Sequence, residues 1–194
     1  MRVETMSTHY IDIHLRPDPE LAPHHLLSGL YTRLHQALVQ VRSQDVGVSF
    51  PEHDERKPSL GSHLRLHGPE TSLRVLMATA WLNGMRDYLR VGDITAVPAN
   101  ARHRIVSRVQ ARSSPERLRR RAMRRHGLDA EAALERIPDS AMQRLKLPFI
   151  VIGSRSTGQP SFPLFLRHGP LLSNPVSGIF NSYGLSHVAT VPWF

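Results

Sequence analysis

The chain contains no cysteine. Disulfides, thiolate metal sites and cysteine nucleophiles are therefore excluded together. No apolar run comes near the roughly 20 residues of a membrane span, and the opening MRVETMSTHY has no apolar signal core. The expectation is a cytoplasmic protein with no membrane attachment, its first eight residues a loose polar extension. Neither HExxH nor the phosphate-cradling GxxxxGK(S/T) occurs. Internal repeats are also lacking, and acid is nearly missing from one stretch. The 194 residues hold 25 Lys plus Arg against 16 Asp plus Glu, a net charge of +9. Between Ala101 and His126 ten arginines face Glu116 alone, so this stretch carries the whole excess and the remainder is neutral. A generally cationic surface would spread its charge; here it is an electrostatic footprint in one place.

What is present reads first as alternating secondary structure. YIDIHLR (10 to 16) alternates Tyr10, Asp12 and His14 with Ile11, Ile13 and Leu15 ahead of the turn PDP, the pattern of a half-buried strand. From Pro23 to about Arg42, Leu27, Leu30, Tyr31, Leu34, Leu38 and Val41 recur at helical spacing. DVGVSF (45 to 50) and HLRLHG (63 to 68) read as strands, Pro69 to Leu89 as a second helix, and ITAVP (94 to 98) as a fourth strand. The order is βαββαβ, the ferredoxin-like arrangement, which serves many RNA-binding modules and many enzymes unrelated to RNA. The fold class is therefore α+β, with a ferredoxin-like domain over residues 1–100. Residues 101–194 form a smaller domain with a strand over 104–112, an arginine-rich helix at about 115–126, a further helix or two after Asp129, and a short sheet around IVIGSRSTGQPSFPLFL.

In SPERLRRRAMRRHG, Ser114 suits an N-cap, Pro115 the first helical position and Gly127 the stop. At about 100° per residue, Arg117, Arg120, Arg121, Arg124 and Arg125 fall within an arc of roughly 140°, with Leu118, Ala122 and Met123 opposite. His126 closes the run. Five like charges on one face repel each other, and acids at i,i+4 that would offset them are almost absent. A solvated face would carry both signs. Arginine rather than lysine suits planar, bidentate recognition of phosphate, so the expected occupant is a polyanion. A face about 12 Å long can span phosphates across one groove of a duplex. On the preceding strand Arg108 and Gln110 alternate, the residue types that pair with guanine and adenine through two hydrogen bonds each. Both are also what an ordinary exposed strand face carries. A-form RNA hides its major groove except near helix ends, so such readers would work at the base of a stem.

In order and spacing, YIDIHLRPDPE, LHQALV, VGVSFP, VSRVQA, SPERLRRRAMRRH, IPDSA, STGQ, LFLRHGP and YGLS ahead of VPWF resemble the CRISPR repeat endoribonucleases of the type I-F system, from about Tyr10 to Phe194. The resemblance implies binding of the stem-loop of a CRISPR repeat transcript and cutting on the 3′ side of the stem, with neither metal nor other cofactor. The hairpin product then stays bound, one protein per RNA, and joins the other Cas subunits of a crRNA-guided surveillance complex. It implies that the arginine helix lies in the major groove and that Arg108 and Gln110 read the lowest base pairs. His35 matches the catalytic histidine, Ser154 the serine that aligns the 2′-hydroxyl, and Tyr183 the tyrosine that supports the histidine. Ser156 and Thr157 match positions lining the same site, and Phe162 matches the aromatic that stacks on the base of the stem, with Phe165 the competing candidate.

The residues bear on this chemistry independently. RNA supplies its own nucleophile, the 2′-hydroxyl, so a protein need add only orientation, proton transfer and charge stabilisation. Imidazole can take or give a proton near neutral pH, and His35 lies at the border of its helix's apolar face, where a side chain can reach a cleft. Read without the resemblance, Ser154 sits in a polar turn and Tyr183 is a strand aromatic. The rival readings are a hairpin-binding subunit that does not cut, and a basic structural protein of a ribonucleoprotein that contacts phosphate without reading sequence.

Overall fold

In the computed structural model, which describes residues 6–54, 56–110, 115–137, 146–153 and 161–194, the alternating segment becomes an interior strand, β1 (His9–Leu15). Its sheet also contains β2 (Gly47–Ser49), β3 (His63–Gly68) and β4 (Leu89–Val91) in the order β2-β3-β1-β4, all pairs antiparallel. Ile11 and Ile13 pair with Leu66 and Leu64. These four side chains are buried with Leu27, Leu30, Leu34 and Leu38 of helix α1 (Pro23–Gln40) and Leu73 and Leu76 of α2 (Glu70–Ala78). The helical and strand periods thus deliver their apolar sets to one core. Helix α1 begins at Pro23, where the missing N–H costs no hydrogen bond. It stops where Arg42 turns into the left-handed region at φ 52°, with Ser43 N–H donating to the Leu38 oxygen at 3.0 Å.

The second helix is shorter than the spacing of its apolar residues predicts. It ends at Ala78, and Ala80 takes φ 53°. Trp81, Leu82 and Met85 still reach the core, but from turns. The fourth strand begins earlier than 94–98 and is split: Leu89 and Val91 pair with Leu15 and Ile13, while β5 (Thr95–Ala96) pairs with Tyr10 and His9. Between the two pieces Gly92 N–H donates to the Asp12 oxygen at 2.8 Å.

The other side of β1 and β3 is polar yet largely covered. Arg65 holds Asp12 through both nitrogen–oxygen pairs, at 2.6 and 3.0 Å, and His63 Nε2 lies 2.6 Å from the same carboxylate. Burial opposes ionisation there, but the hydrogen bonds from His63 and Arg65 prevail and hold the Asp12 carboxyl well below its usual range. The Phe194 and Tyr10 rings cover the Arg65 guanidinium at 4.0 and 4.8 Å. His67, fully buried, meets Ser49 Oγ at 2.8 Å.

Two compact units emerge, residues Met1–Val109 with Leu147–Phe194, and Gln110–Lys146. The first also contains β6 (Arg102–Arg104) paired with β10 (Val191–Trp193), and a three-stranded sheet β7-β9-β8 built from Val106–Val109, Phe162–His168 and Phe149–Ile152. Val106, Ile150, Ile152, Leu164 and Leu166 join the same hydrophobic core. The second unit contains α3 (Pro115–His126) and α4 (Ala130–Arg136), which pack on each other. Asp129 caps α4 by accepting from Ala132 N–H at 2.8 Å.

Candidate catalytic site and nucleic-acid interface

A tight loop over residues 181–185 faces α1. The Asn181 side-chain oxygen accepts from Tyr183 N–H at 2.9 Å and Leu185 N–H at 3.2 Å, and its main-chain oxygen accepts from Gly184 N–H at 2.8 Å. Gly184 takes φ 69°, and a Cβ there would stand 2.7 Å from Val48 Cγ1, so both conformation and space demand glycine. The Gly184 oxygen in turn accepts from Val48 N–H of β2 at 3.0 Å. Main-chain bonds thus join this loop to the sheet.

His35 projects from α1 onto the loop. Its Nδ1 lies 2.7 Å from the Ser182 main-chain oxygen. A carbonyl can only accept, so Nδ1 carries hydrogen and, in the neutral ring, Nε2 presents the lone pair. The Tyr183 ring stacks on the imidazole at 4.0 Å between centroids, the planes 6° apart. One helical turn earlier, the fully buried Tyr31 donates its hydroxyl to the Tyr183 oxygen at 2.7 Å. Burial, with a smaller contribution from Tyr183, raises the Tyr31 pKa far above its ordinary value, so this hydroxyl keeps its proton. His35 itself is half-buried.

Helix α3 runs from Pro115 and stops at Gly127, which takes φ 62° and donates N–H to the Met123 oxygen at 2.9 Å. Arg117, Arg120, Arg121, Arg124, Arg125 and His126 are exposed, whereas Leu118, Ala122 and Met123 are partly buried. Arg119 is turned away from the exposed set, its Nε donating to the Ile137 oxygen at 2.8 Å. The exposed face is cationic along three turns.

Comparison with known families matches residues 10–194 to the family described as CRISPR-associated protein (Cas_Csy4). A relative from Pseudomonas aeruginosa (strain UCBPP-PA14), named CRISPR-associated endonuclease Cas6/Csy4, is 53% identical over 96% of this chain and 99% of its own length. A second, from Escherichia coli (strain UTI89 / UPEC) and of the same name, is 44% identical with the same coverage. The chain belongs to the Cas6/Csy4 family of CRISPR-associated endonucleases.

Against that family background, the expected residues outside α3 fall into three groups. His35 and Tyr183, 148 positions apart, are in ring contact. Arg108 sits in β7 opposite Leu166, its guanidinium 5.6 Å from the centre of the half-buried Phe162 ring, and Gln110 follows the strand, exposed. Phe165 is also half-buried, 5.5 Å from Phe149 between centroids. Ser154, Ser156 and Thr157, with the Ser114 cap, lie outside the described residues. Ser182 meets His35 through its main-chain oxygen, and Tyr31 and Asn181 bond main-chain groups of the same loop, contacts for which a sequence carries no signature. Among the described residues, Asp12, His14 and His63 bring ligand-type atoms within 4.8 Å of one another. Arg65 already engages both Asp12 oxygens, and a guanidinium there opposes a cation.

Proposed function

We propose that the chain is a metal-independent endoribonuclease that binds the stem-loop of CRISPR repeat transcripts and cuts pre-crRNA at the 3′ base of the stem. The 2′-hydroxyl oxygen attacks the adjacent phosphorus, a 2′-oxygen–phosphorus bond forms and the bond to the 5′-oxygen breaks. A 2′,3′-cyclic phosphate and a 5′-hydroxyl result. One proton leaves the 2′-hydroxyl and one arrives at the 5′-oxygen; His35 mediates this transfer through Nε2 while Ser154 orients the hydroxyl. The observation that carries the reading is the bond between His35 Nδ1 and the Ser182 oxygen, which leaves Nε2 for proton exchange.

In the same reading residues 1–100 form a ferredoxin-like domain, supported by the antiparallel order β2-β3-β1-β4, and residues 101–194 recognise RNA. Helix α3 enters the major groove of the stem with Arg117, Arg120, Arg121, Arg124, Arg125 and His126, supported by their common exposure. Arg108 and Gln110 read the lowest base pairs, Phe162 stacks beneath them, and Ser156 and Thr157 line the cut. The protein works in the cytoplasm, holds its hairpin product one to one, and enters a type I-F surveillance complex with other Cas subunits.

The test is incubation with the repeat stem-loop in EDTA, beside the same RNA carrying one 2′-deoxy sugar just upstream of the cut. Cleavage of the first alone is expected. Tight binding with cleavage of neither would replace the nuclease reading with that of a non-cutting hairpin binder.

A further inference from the structure

The peptide group joining Ser182 to Tyr183 is held at both ends. Its oxygen accepts from His35 Nδ1 at 2.7 Å, and its N–H donates to Asn181 Oδ1 at 2.9 Å. Because a peptide group is planar, fixing the N–H fixes the direction of the C=O. The Asn181 side chain therefore bears on the imidazole through one rigid unit. The next two peptide groups are braced in the same manner: Tyr183 oxygen to Tyr31 and Gly184 N–H to the Asn181 oxygen, then Gly184 oxygen to Val48 and Leu185 N–H to Asn181 Oδ1. Asn181 N–H closes the loop on the Leu185 oxygen at 2.9 Å. Two N–H donors converge on one side-chain atom, so the amide is oriented with its oxygen inward. Asn181 is exposed, and its substitution takes nothing from the hydrophobic core.

Resting on the reading of His35 as the proton-transfer group, we propose that Asn181 is a positioning residue for the reaction. Its side-chain oxygen sets the plane of the Ser182–Tyr183 peptide, and that plane selects the His35 tautomer with hydrogen on Nδ1. Without it the peptide can rotate, its carbonyl leaves Nδ1, and the ring's proton redistributes to Nε2, the atom the reaction requires free. Asn181 touches neither the histidine nor, in this reading, the RNA. Its effect is confined to how much of the bound protein has a competent ring.

The experiment compares the full-length protein with Asn181→Ala, Asn181→Thr and His35→Ala in single-turnover cleavage of the repeat stem-loop at saturating protein, with hairpin affinity measured alongside. Nitrogen-15 NMR of the histidine rings reports the His35 tautomer. Asn181→Ala is expected to lower the cleavage rate about tenfold, the scale of one lost hydrogen bond, with affinity unchanged and the Nε2–H form of His35 rising. Asn181→Thr, whose hydroxyl can accept the same N–H in an ST-turn, is expected to restore most of the rate. An Asn181→Ala protein with the parental rate or tautomer, or a threonine variant no better than alanine, would overturn the proposal while leaving His35 in its role. Full cleavage by His35→Ala would instead remove the reading on which the proposal rests.

Discussion

The loop around His35 and the arginine face of α3 are built on opposite principles. At His35, among the described residues, the groups are one imidazole, one main-chain oxygen at 2.7 Å and one ring stacked within 6° of parallel. On α3 the same residue type recurs along one exposed face, at Arg117, Arg120, Arg121, Arg124 and Arg125. Proton transfer needs atoms within hydrogen-bond reach and correctly aligned, so a small displacement of a catalytic group is costly. Attraction between a cationic face and a polyphosphate falls off gradually and sums over many contacts. In the proposed function, chemistry is therefore concentrated on residues that main-chain groups hold in place, while affinity is distributed over residues that need only share a face.

The largest expected effect breaks the comparison at the loop. His35→Ala should lower the single-turnover cleavage rate by about a thousandfold, within the usual range of general acid–base catalysis, with hairpin affinity unchanged. Equal losses of rate and affinity would show that the histidine serves binding. Next comes the helix: replacing Arg121, Arg124 and Arg125 together with alanine should weaken hairpin binding by about a hundredfold at moderate salt. The slope of log affinity against log salt should fall by about three. An unchanged slope would remove phosphate from that face.

A third measurement concerns the stability of the unit that carries His35. Burial, then the charges of Arg65 and neighbouring groups, pushes the His67 pKa down to about 3. Burial, His53 and Arg104 push that of His168 to about 2. Each ring binds its proton near pH 6.5 when unfolded and far lower when folded, so the unfolded state holds more protons throughout that window. Stability is full above pH 6.5 and is lost as pH falls toward 3, by up to about 1.4 kcal/mol per pH unit for each ring. Urea unfolding at pH 7, 6 and 5 checks this, and a flat profile would contradict it. The smallest effect is expected for Tyr31→Phe. It leaves the Tyr183 oxygen without its bond and should cost about 1 kcal/mol of stability, while Asn181 keeps the loop's fold and cleavage stays within about threefold.

Legibility in the sequence followed locality. Helix α3 was readable almost to the residue, since its proline start, its glycine stop and its apolar and cationic arcs all lie within one short segment. Strands β1 and β3 and helix α1 were equally plain. The apolar spacing overextends the second helix because Trp81, Leu82 and Met85 continue a helical period while filling the core from turns after Ala80. Periodicity records which residues are buried and leaves open which backbone path carries them there. Arg65, His67 and His168 would each be placed on a surface by type, yet all three are buried.

His35 marks the division between the two kinds of information. Its helix, its place at the border of the apolar face and its neighbours are properties of one turn of chain, and the sequence alone determined them, as it did the cationic face of α3. The hydrogen on Nδ1 depends on the oxygen of Ser182, 147 residues further along the chain. Only the tertiary structure decided that, because every residue has a main-chain carbonyl and nothing in a residue's identity records which one folding will bring within 2.7 Å.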